Sequence, residues 1–165
     1  MKFFNLFNRK SKRIEELESQ LRDTNVKLYT ESNKEMVNFL SQSTEGYWGY
    51  WDWYIDFSIP IEENYEYMSP RFWEIFGYSP EEKSHRVGEW MDMIHKEDGD
   101  VAMNNFNKHV ETKGEHPYRQ IVRYTHKDGS TVWVLCKGKV IEWADGVPTR
   151  MIGTHTDITS EMRNK

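Results

Sequence analysis

The stretch RQIVRYTHKDGSTVWVLCKGKV, residues 119–140, predicts two β-strands joined by a tight turn. A two-residue turn at DG would pair Tyr124 with Trp133. A three-residue loop at KDG, with Gly129 in the left-handed region, would instead pair Tyr124 with Val132. A slip of one residue moves every side chain to the opposite face, so the two registers predict different cores. The three-residue loop separates apolar from polar residues better, and we predict that register.

In this register the hairpin has two unlike faces. One face is apolar and is predicted to face the core; it carries Val122, Tyr124, Val132, Val134 and Cys136. The other is amphipathic, and on it Arg123 lies close enough to Trp133 for a cation–π contact. Trp133, Leu135 and Ile121 form an apolar patch that is costly to leave in water. We therefore expect a further helix, from this chain or from a second copy, to cover Trp133 and Leu135.

Residues 14–43 are the candidate for that helix. The seam positions of a heptad repeat, with Thr24 as the weak member, are occupied by Ile14, Leu17, Leu21 and Leu28. Arg13 and Glu18 flank this seam with opposite charges, which suits a parallel pair of helices. The same stripe could also lie on its own domain, and the two arrangements are compatible. We expect a homodimer joined through this helix.

The bulk composition favours one packed domain with a short extension. The chain has 165 residues, of which 15% are aromatic, and that content predicts a real core. The single cysteine, Cys136, cannot form an internal disulfide or a multi-cysteine metal site, so we expect no metal. A reducing, cytoplasmic setting is expected. No apolar run approaches the ~20 residues of a membrane-spanning helix.

The charge is unevenly distributed along the chain. Residues 1–13 carry five basic residues and no acidic one, and the net charge is -5, so the remainder carries -10. Such an acidic body does not attract nucleic acid over its general surface. The tip combines these bases with Phe3, Phe4, Leu6 and Phe7. It therefore either makes a weak contact with the inner surface of the membrane or is a frayed helix start or a disordered tip.

The rest of the chain predicts strands at both ends of a helical middle. Alternation in residues 51–57 predicts a strand, a second short strand follows in SIPIEENYEYM, and three more are predicted at 118–126, 130–143 and 147–158. Ser69 and Ser79, each followed by proline, are predicted to cap two short helices. Asp98 is predicted to cap a longer helix that runs to about Lys113. This order indicates an α+β fold with an antiparallel sheet.

From about Gly46 to Thr159 the sequence resembles a bacterial sensory PAS domain of the PAS fold-3 type with its C-terminal PAC motif. The resemblance rests on YMSPRFWEIFGYSPEE, IHKEDGD, VRYTHKDGSTVWV and MIGTHTDIT, in the family's order and spacing. It implies a five-stranded antiparallel sheet with short helices on one face. It also implies sensing or protein–protein signalling rather than catalysis. The expected organisation is a tip (1–13), an amphipathic helix (14–43), a PAS/PAC domain (44–159) and a tail (160–165).

The resemblance also implies where a signal leaves the domain and what the domain could hold. Its exit motif, DIT, contains Asp157 and Thr159, through which such domains pass strain to a following helix. Family members often bind a cofactor or metabolite between the sheet and the helices. Covalent flavin is not expected, because residues 70–97 contain no cysteine. Haem is not expected, because the family's histidine position falls near Ala102.

His155 is the centre of the candidate ligand site. Strand parity places it with Met151 and Gly153 on the face that the family comparison points inward, and Gly153 would open space against a ligand. The candidate ligand-binding residues are Phe76, Phe106, Tyr124, Val134, Cys136 and His155. The alternative is that His155 and Tyr124 satisfy each other in a filled core. The identity of a ligand or cofactor is not predicted.

These observations predict a non-catalytic sensor or adaptor module for signal transduction. No phosphate-binding loop, zinc-protease motif or nucleophile elbow occurs. Ligand occupancy or partner docking would change how residues 14–43 pack on Trp133 and Leu135. The alternative is a sensory fragment of a larger signalling enzyme, such as a histidine kinase or a diguanylate cyclase. A stand-alone binding protein for a small molecule is a third hypothesis.

Overall fold

The chain divides into two compact units, residues 1–36 and 37–165, and each is described by itself. The computed structural model describes residues 12–14, 16, 17, 20, 21, 24 and 48–164.

The described positions of the first unit are helical. Ile14, Leu17 and Leu21 expose 54%, 47% and 60% of their surface, so this apolar stripe is available for contact. Arg13 forms an exposed ion pair with Glu16 at 3.3 Å. Leu28, most of the tip and most of the predicted helix lie outside the described residues. The seam, the homodimer and the membrane contact therefore stay predictions.

The second unit contains a five-stranded antiparallel sheet in the order β2-β1-β5-β4-β3. Its strands are β1 (Trp48–Tyr54), β2 (Glu66–Met68), β3 (Tyr118–Thr125), β4 (Thr131–Ala144) and β5 (Val147–Asp157). Three helices lie between β2 and β3 along the chain: α1 (Pro70–Glu74), α2 (Val87–Met91) and α3 (Lys96–Glu111). Two 3₁₀ turns are found at Ile61–Glu63 and Pro80–Glu82. A last helix, α4 (Thr159–Arg163), follows β5. The predicted α+β class with an antiparallel sheet is confirmed.

The β3–β4 hairpin has the predicted three-residue loop. Tyr124 pairs with Val132, and Gly129 has a φ of 85°. The guanidinium of Arg123 lies 5.7 Å from the centre of the Trp133 ring, which is the predicted cation–π contact. The register therefore turns the apolar face of the hairpin toward the core and leaves Ile121 44% exposed on the other face.

The two serine caps also form as predicted. The hydroxyl of Ser69 accepts the N–H of Phe72 at 3.3 Å, and Pro70 is the first residue of α1. Ser79 and Glu82 form a capping box, although the element it begins is a single 3₁₀ turn. Gly77, with a φ of 79°, separates the two elements. Two short elements can follow each other closely here because each serine cap satisfies backbone N–H groups at the start of its own element.

Asp98 does not cap the long helix, and this prediction is wrong. Helix α3 begins at Lys96 and its N-cap is His95, so Asp98 lies inside the first turn. Its carboxylate instead accepts the backbone N–H of Arg123 at 2.6 Å and two guanidinium N–H groups at 2.8 Å each. A bidentate pair with a strand arginine is stronger than a local cap. Asp98 thus anchors the start of α3 to β3.

His109 fixes the other end of α3 to the sheet. It is 1% exposed; its Nδ1 lies 2.5 Å from the carbonyl oxygen of His116, and its Nε2 accepts the N–H of Val140 at 3.1 Å. Both ring nitrogens are therefore used by the backbone. Together, Asp98 and His109 hold α3 across the inner face of the sheet, where the aromatic core lies.

Candidate functional site

A small cavity lies between the inner face of the sheet and helices α2 and α3. Its volume is about 30 Å³. That is room for about two water molecules, so the core is nearly filled. The cavity is walled by aromatic rings from four different elements, namely Trp51, Trp53, Trp90, Phe106, Tyr118 and Tyr124. Within this apolar wall lie a few polar groups, which is how binding sites for small molecules are commonly built.

Glu66 places a carboxylate in the cavity wall. It lies on β2 directly opposite Trp53, which puts it on the inner face of the sheet, and it is 4% exposed. Its carboxylate accepts the indole N–H of Trp90 at 2.7 Å. Burial raises the pKa of Glu66 from 4.5 to about 8. Among the described residues no basic side chain forms an ion pair with it, so the carboxyl group keeps its proton at pH 7 and becomes charged only near pH 8.

His155 lies on the same inner face, in contact with the aromatic core. Its Nε2 and the hydroxyl of Tyr124 are 3.0 Å apart, as the filled-core alternative requires. Its Nδ1, however, has no hydrogen-bond partner among the residues described by the structure. Burial lowers the pKa of His155 to about 3, so the ring is neutral at physiological pH. One polar atom of this cavity-lining histidine therefore has no partner within residues 48–164.

Two N–H donors in the cavity wall are also unpaired. Within residues 48–164, neither the Nε1 of Trp51 nor the Nε2 of Gln120 has a hydrogen-bond partner of good geometry. The side chain of Gln120 does interact with the Tyr118 hydroxyl and the Cys136 thiol, which partly offsets the rise in the pKa of both groups. Both residues are more than nine-tenths buried, and both line the cavity. The amide oxygen of Gln120 accepts from Asn105 at 3.2 Å, which fixes the orientation of the amide. A buried donor without a partner costs about 1–3 kcal/mol, so these groups favour an acceptor in the cavity.

Cys136 lines the cavity but lacks the features of a reactive thiol. It is 3% exposed, and burial raises its pKa well above the ordinary value of a cysteine. The thiolate is the reactive species, so a thiol in this setting is inert. Cys136 therefore contributes shape and weak polarity to the cavity wall.

Gly153 does not open space for a ligand, and this expectation is wrong. A Cβ atom on Gly153 would lie 2.1 Å from the ring of Trp51 and 2.2 Å from the carbonyl oxygen of Lys137. A Cβ atom on Gly138, the partner of Gly153 on β4, would lie 2.6 Å from the same ring. The two glycines accommodate the indole of Trp51, which lies flat on the sheet. Trp51 then forms part of the cavity wall.

The six predicted ligand-binding residues divide into two groups. Phe106, Tyr124, Cys136 and His155 line the cavity. Phe76 and Val134 are both 0% exposed but belong to the packed core outside the cavity lining. Sequence reasoning missed the polar groups of Glu66 and Gln120. The sequence around Glu66 does not predict that this side chain faces the core, because its neighbours Tyr65 and Tyr67 are more apolar and are the expected inward-facing residues.

The predicted relay residues lie at the end of the strand that carries His155. The Oδ1 of Asp157 accepts the N–H of Thr159 at 2.8 Å. The hydroxyl of Thr159 accepts the N–H of Trp133 at 3.0 Å, and the carbonyl of Trp133 accepts the N–H of Ile158 at 2.8 Å. The predicted exit motif is thus bonded to β4 at Trp133, whose side chain belongs to the predicted apolar patch on the outer face.

The residues around the cavity do not fit the cofactors most often associated with such a fold. A cavity of about 30 Å³ has no room for the three fused rings of a flavin. For haem, the long helix offers His109, and both of its nitrogens are engaged by backbone groups. Among the described residues, no cluster of His, Cys, Asp and Glu could hold a metal ion. A search of the same residues finds no helix long and apolar enough to cross a membrane.

Comparisons with known proteins agree with this architecture. The family described as PAS fold matches residues 65–155. A solved sensory box histidine kinase/response regulator from Burkholderia thailandensis E264 is 26% identical, with a TM-score of 0.61 over 77% of this chain and 88% of that one. No curated protein matches.

Two further solved structures show the likeness of fold alone. One is the N-terminal domain of a diguanylate cyclase with PAS/PAC sensor from Marinobacter aquaeolei: 23% identity, TM-score 0.52, 68% of this chain and 98% of that one. The other is the LOV domain of a blue-light activated histidine kinase from Erythrobacter litoralis EL346: 16% identity, TM-score 0.51, 67% of this chain and 95% of that one. The similar structures therefore come from sensory proteins.

Proposed function

This chain belongs to the PAS fold family, and from that premise we propose that it is a non-catalytic sensory module whose inner cavity binds a small molecule. The observation that carries the proposal is the set of unpaired polar atoms in the cavity wall, on Trp51, Gln120 and His155. A core built only for stability would leave few such atoms without partners. A ligand with matching donors and acceptors would satisfy them.

In this proposal the signal leaves through β5. His155 lines the cavity, and Asp157 begins the exit motif only two residues further along the same strand. A shift of β5 on ligand binding would strain the hydrogen bonds that join Thr159 and Ile158 to Trp133. The output would then be a change at the apolar patch of Trp133 and Leu135 and in the helix that follows. The predicted PAC motif would act as this exit.

The proposed output partner is a second copy of the chain, joined through the N-terminal helix. Ile14, Leu17 and Leu21 are exposed and have the spacing of a coiled-coil seam. An exposed apolar stripe of this kind favours association with another helix or with an apolar face. We place the module in the cytoplasm, with residues 1–13 as a weak contact to the inner membrane surface.

A second candidate is that the chain acts as the sensory part of a larger signalling enzyme. It is favoured by the 26% identity to a protein named as a histidine kinase/response regulator. In that case the cavity and the exit motif would keep the same roles. The catalytic step would be performed by another domain or by a partner protein.

Native mass spectrometry of the purified full chain tests the main proposal in one measurement. We expect a dimer, and we expect a small-molecule mass that is lost when the protein is unfolded. A chain that carries no added mass, and gains none when incubated with a cell metabolite extract, would contradict the ligand part.

Two matched variants test the dimer part. Leu17→Asp with Leu21→Asp places two charges in the seam and should yield a monomer. Lys12→Gln with Gln20→Asp changes the net charge by the same amount at helical positions outside the seam, and it should stay dimeric. A dimer that survives the first pair would show that the N-terminal helix does not join the protomers.

A further inference from the structure

The cavity wall combines a buried carboxyl group with buried N–H donors, and this combination constrains the ligand. Glu66 presents a carboxyl group that is 4% exposed and has one hydrogen bond, from Trp90. Taking a carboxylate out of water is costly unless a positive charge compensates it. None of the described residues supplies that charge to Glu66. A cationic ligand would supply it.

The aromatic wall also suits a cation. Indole, phenol and phenyl rings attract ammonium groups through their faces, and the attraction increases when water is excluded. Rings from two strands and two helices surround this cavity, and Trp90 reaches it while bonded to Glu66. A carboxylate within a group of aromatic faces is a combination that stabilises an organic ammonium ion.

Two further groups in the cavity wall favour an acceptor. The Nε1 of Trp51 and the Nε2 of Gln120 are donors without a partner among the described residues. An acceptor with a full negative charge would find no compensating cation in the described cavity lining. A neutral hydroxyl or carbonyl oxygen would accept from these donors without that cost.

We propose that the cavity binds a small organic monocation, with its ammonium group at Glu66 and a hydroxyl or carbonyl oxygen at the N–H groups of Trp51 and Gln120. This inference rests on the proposed sensory function and specifies the class of ligand. The space of about 30 Å³ limits the ligand to a few heavy atoms. Met91 and Met103, both half-buried in the lining, can change rotamer to enlarge it.

Four probes of similar size separate the contributions of charge and acceptor. Ethanolammonium has both groups, n-propylammonium lacks the acceptor, ethylene glycol lacks the charge, and glycine adds a negative charge. Binding to the full chain is measured by isothermal titration calorimetry and by the shift of the thermal midpoint. We expect ethanolammonium to bind at least about tenfold more tightly than each of the other three, because two of them lack one complementary interaction and glycine brings a negative charge that the cavity does not compensate.

The pH dependence identifies Glu66 as the group that recognises the cation. Since the pKa of Glu66 is about 8, ethanolammonium should bind more than about tenfold more tightly at pH 8.5 than at pH 6. The other titratable groups lining the cavity are Tyr118, Tyr124, Cys136 and His155. Burial raises the pKa of the first three and lowers that of His155 to about 3, so none of them titrates in this window.

Glu66→Gln keeps the size and the acceptor for Trp90 and removes the charge. It should lose the preference for ethanolammonium over ethylene glycol and should bind equally at both pH values. Glu115→Gln removes the same charge from an exposed side chain and should behave as the unmodified chain.

Two results would overturn the inference in different ways. If ethylene glycol binds as tightly as ethanolammonium, or if Glu66→Gln binds both unchanged, the cavity does not select a cation. The sensory proposal would survive that result, provided that native mass spectrometry shows another bound molecule. Suppose instead that no probe binds at concentrations up to roughly 100 mM, at which even a weak millimolar complex would form, and that native mass spectrometry shows no retained molecule. The cation inference and the ligand-sensing proposal then both fail.

Discussion

Replacing Glu66 with glutamine should stabilise the protein, and increasingly so as the pH rises. Glu66 is buried and has no cationic partner among the described residues, so its charged form is disfavoured in the folded state. The unfolded chain releases this proton near pH 4.5, whereas the folded chain keeps it until about pH 8. The unfolded state therefore gains stability relative to the folded state as the pH rises through this window.

The size of the effect follows from the two pKa values. A rise from 4.5 to about 8 corresponds to a free-energy penalty on the order of 5 kcal/mol once both states are ionised. At pH 7 the penalty is roughly 3 kcal/mol, and at pH 5 it is below roughly 1 kcal/mol. Glutamine keeps an oxygen that accepts the N–H of Trp90, so the substitution removes the charge with little change in packing.

Urea unfolding of the full chain at pH 5, 7 and 8.5, followed by tryptophan fluorescence, measures this difference. The free energy of unfolding of Glu66→Gln should exceed that of the unmodified chain by an amount that grows with pH. The pKa of His155 is lowered to about 3, so this residue makes the folded state more stable as the pH rises toward 6.5. Both proteins contain His155, and its contribution therefore cancels in the comparison. Glu115→Gln, at an exposed position, should show no such trend. A difference that is constant with pH would mean that Glu66 is solvated, and the cation site would lose its basis.

Two further substitutions test the packing around the cavity and the exit motif. Gly153→Ala should destabilise the protein by about 3 kcal/mol or more, because the added methyl group meets the Trp51 ring and a backbone oxygen; Gly99→Ala, whose Cβ has only one contact at 3.4 Å, should be neutral or mildly stabilising in thermal melts. Thr159→Val removes the acceptor of the Trp133 N–H and should speed its hydrogen exchange several-fold, since one hydrogen bond contributes about 1 kcal/mol. Unchanged exchange at Trp133 would mean that the motif is not bonded to β4.

The local features of the fold were predictable from the sequence because each depends on neighbours along the chain. The loop at Gly129 fixes the hairpin register, since only the longer turn places Val132 opposite Tyr124. Ser69 and Ser79 begin their elements through hydrogen bonds to residues three positions away. Such rules need no knowledge of the tertiary structure.

The features that sequence reasoning missed depend on partners far apart in the chain. Asp98 resembles a helix cap locally, but Arg123, 25 residues later, provides a stronger interaction. Gly153 resembles a ligand-facing position, but the indole of Trp51 occupies that space. Glu66 points inward because β2 pairs with β1 in a register that sets it opposite Trp53. A short strand of three residues does not reveal that register from its own pattern.

The most direct test of the account asks whether a change inside the cavity reaches the exit motif. Ala102→Val extends a buried residue of α3 into the cavity and acts as a permanent partial occupant. Val101→Ile adds a similar bulk at the exposed neighbouring position and serves as the control. Hydrogen–deuterium exchange of the full chain should change at residues 155–159 and at Trp133 in the first variant and not in the second. Changes confined to α3 and the cavity wall would contradict the proposed route from the cavity to the end of β5.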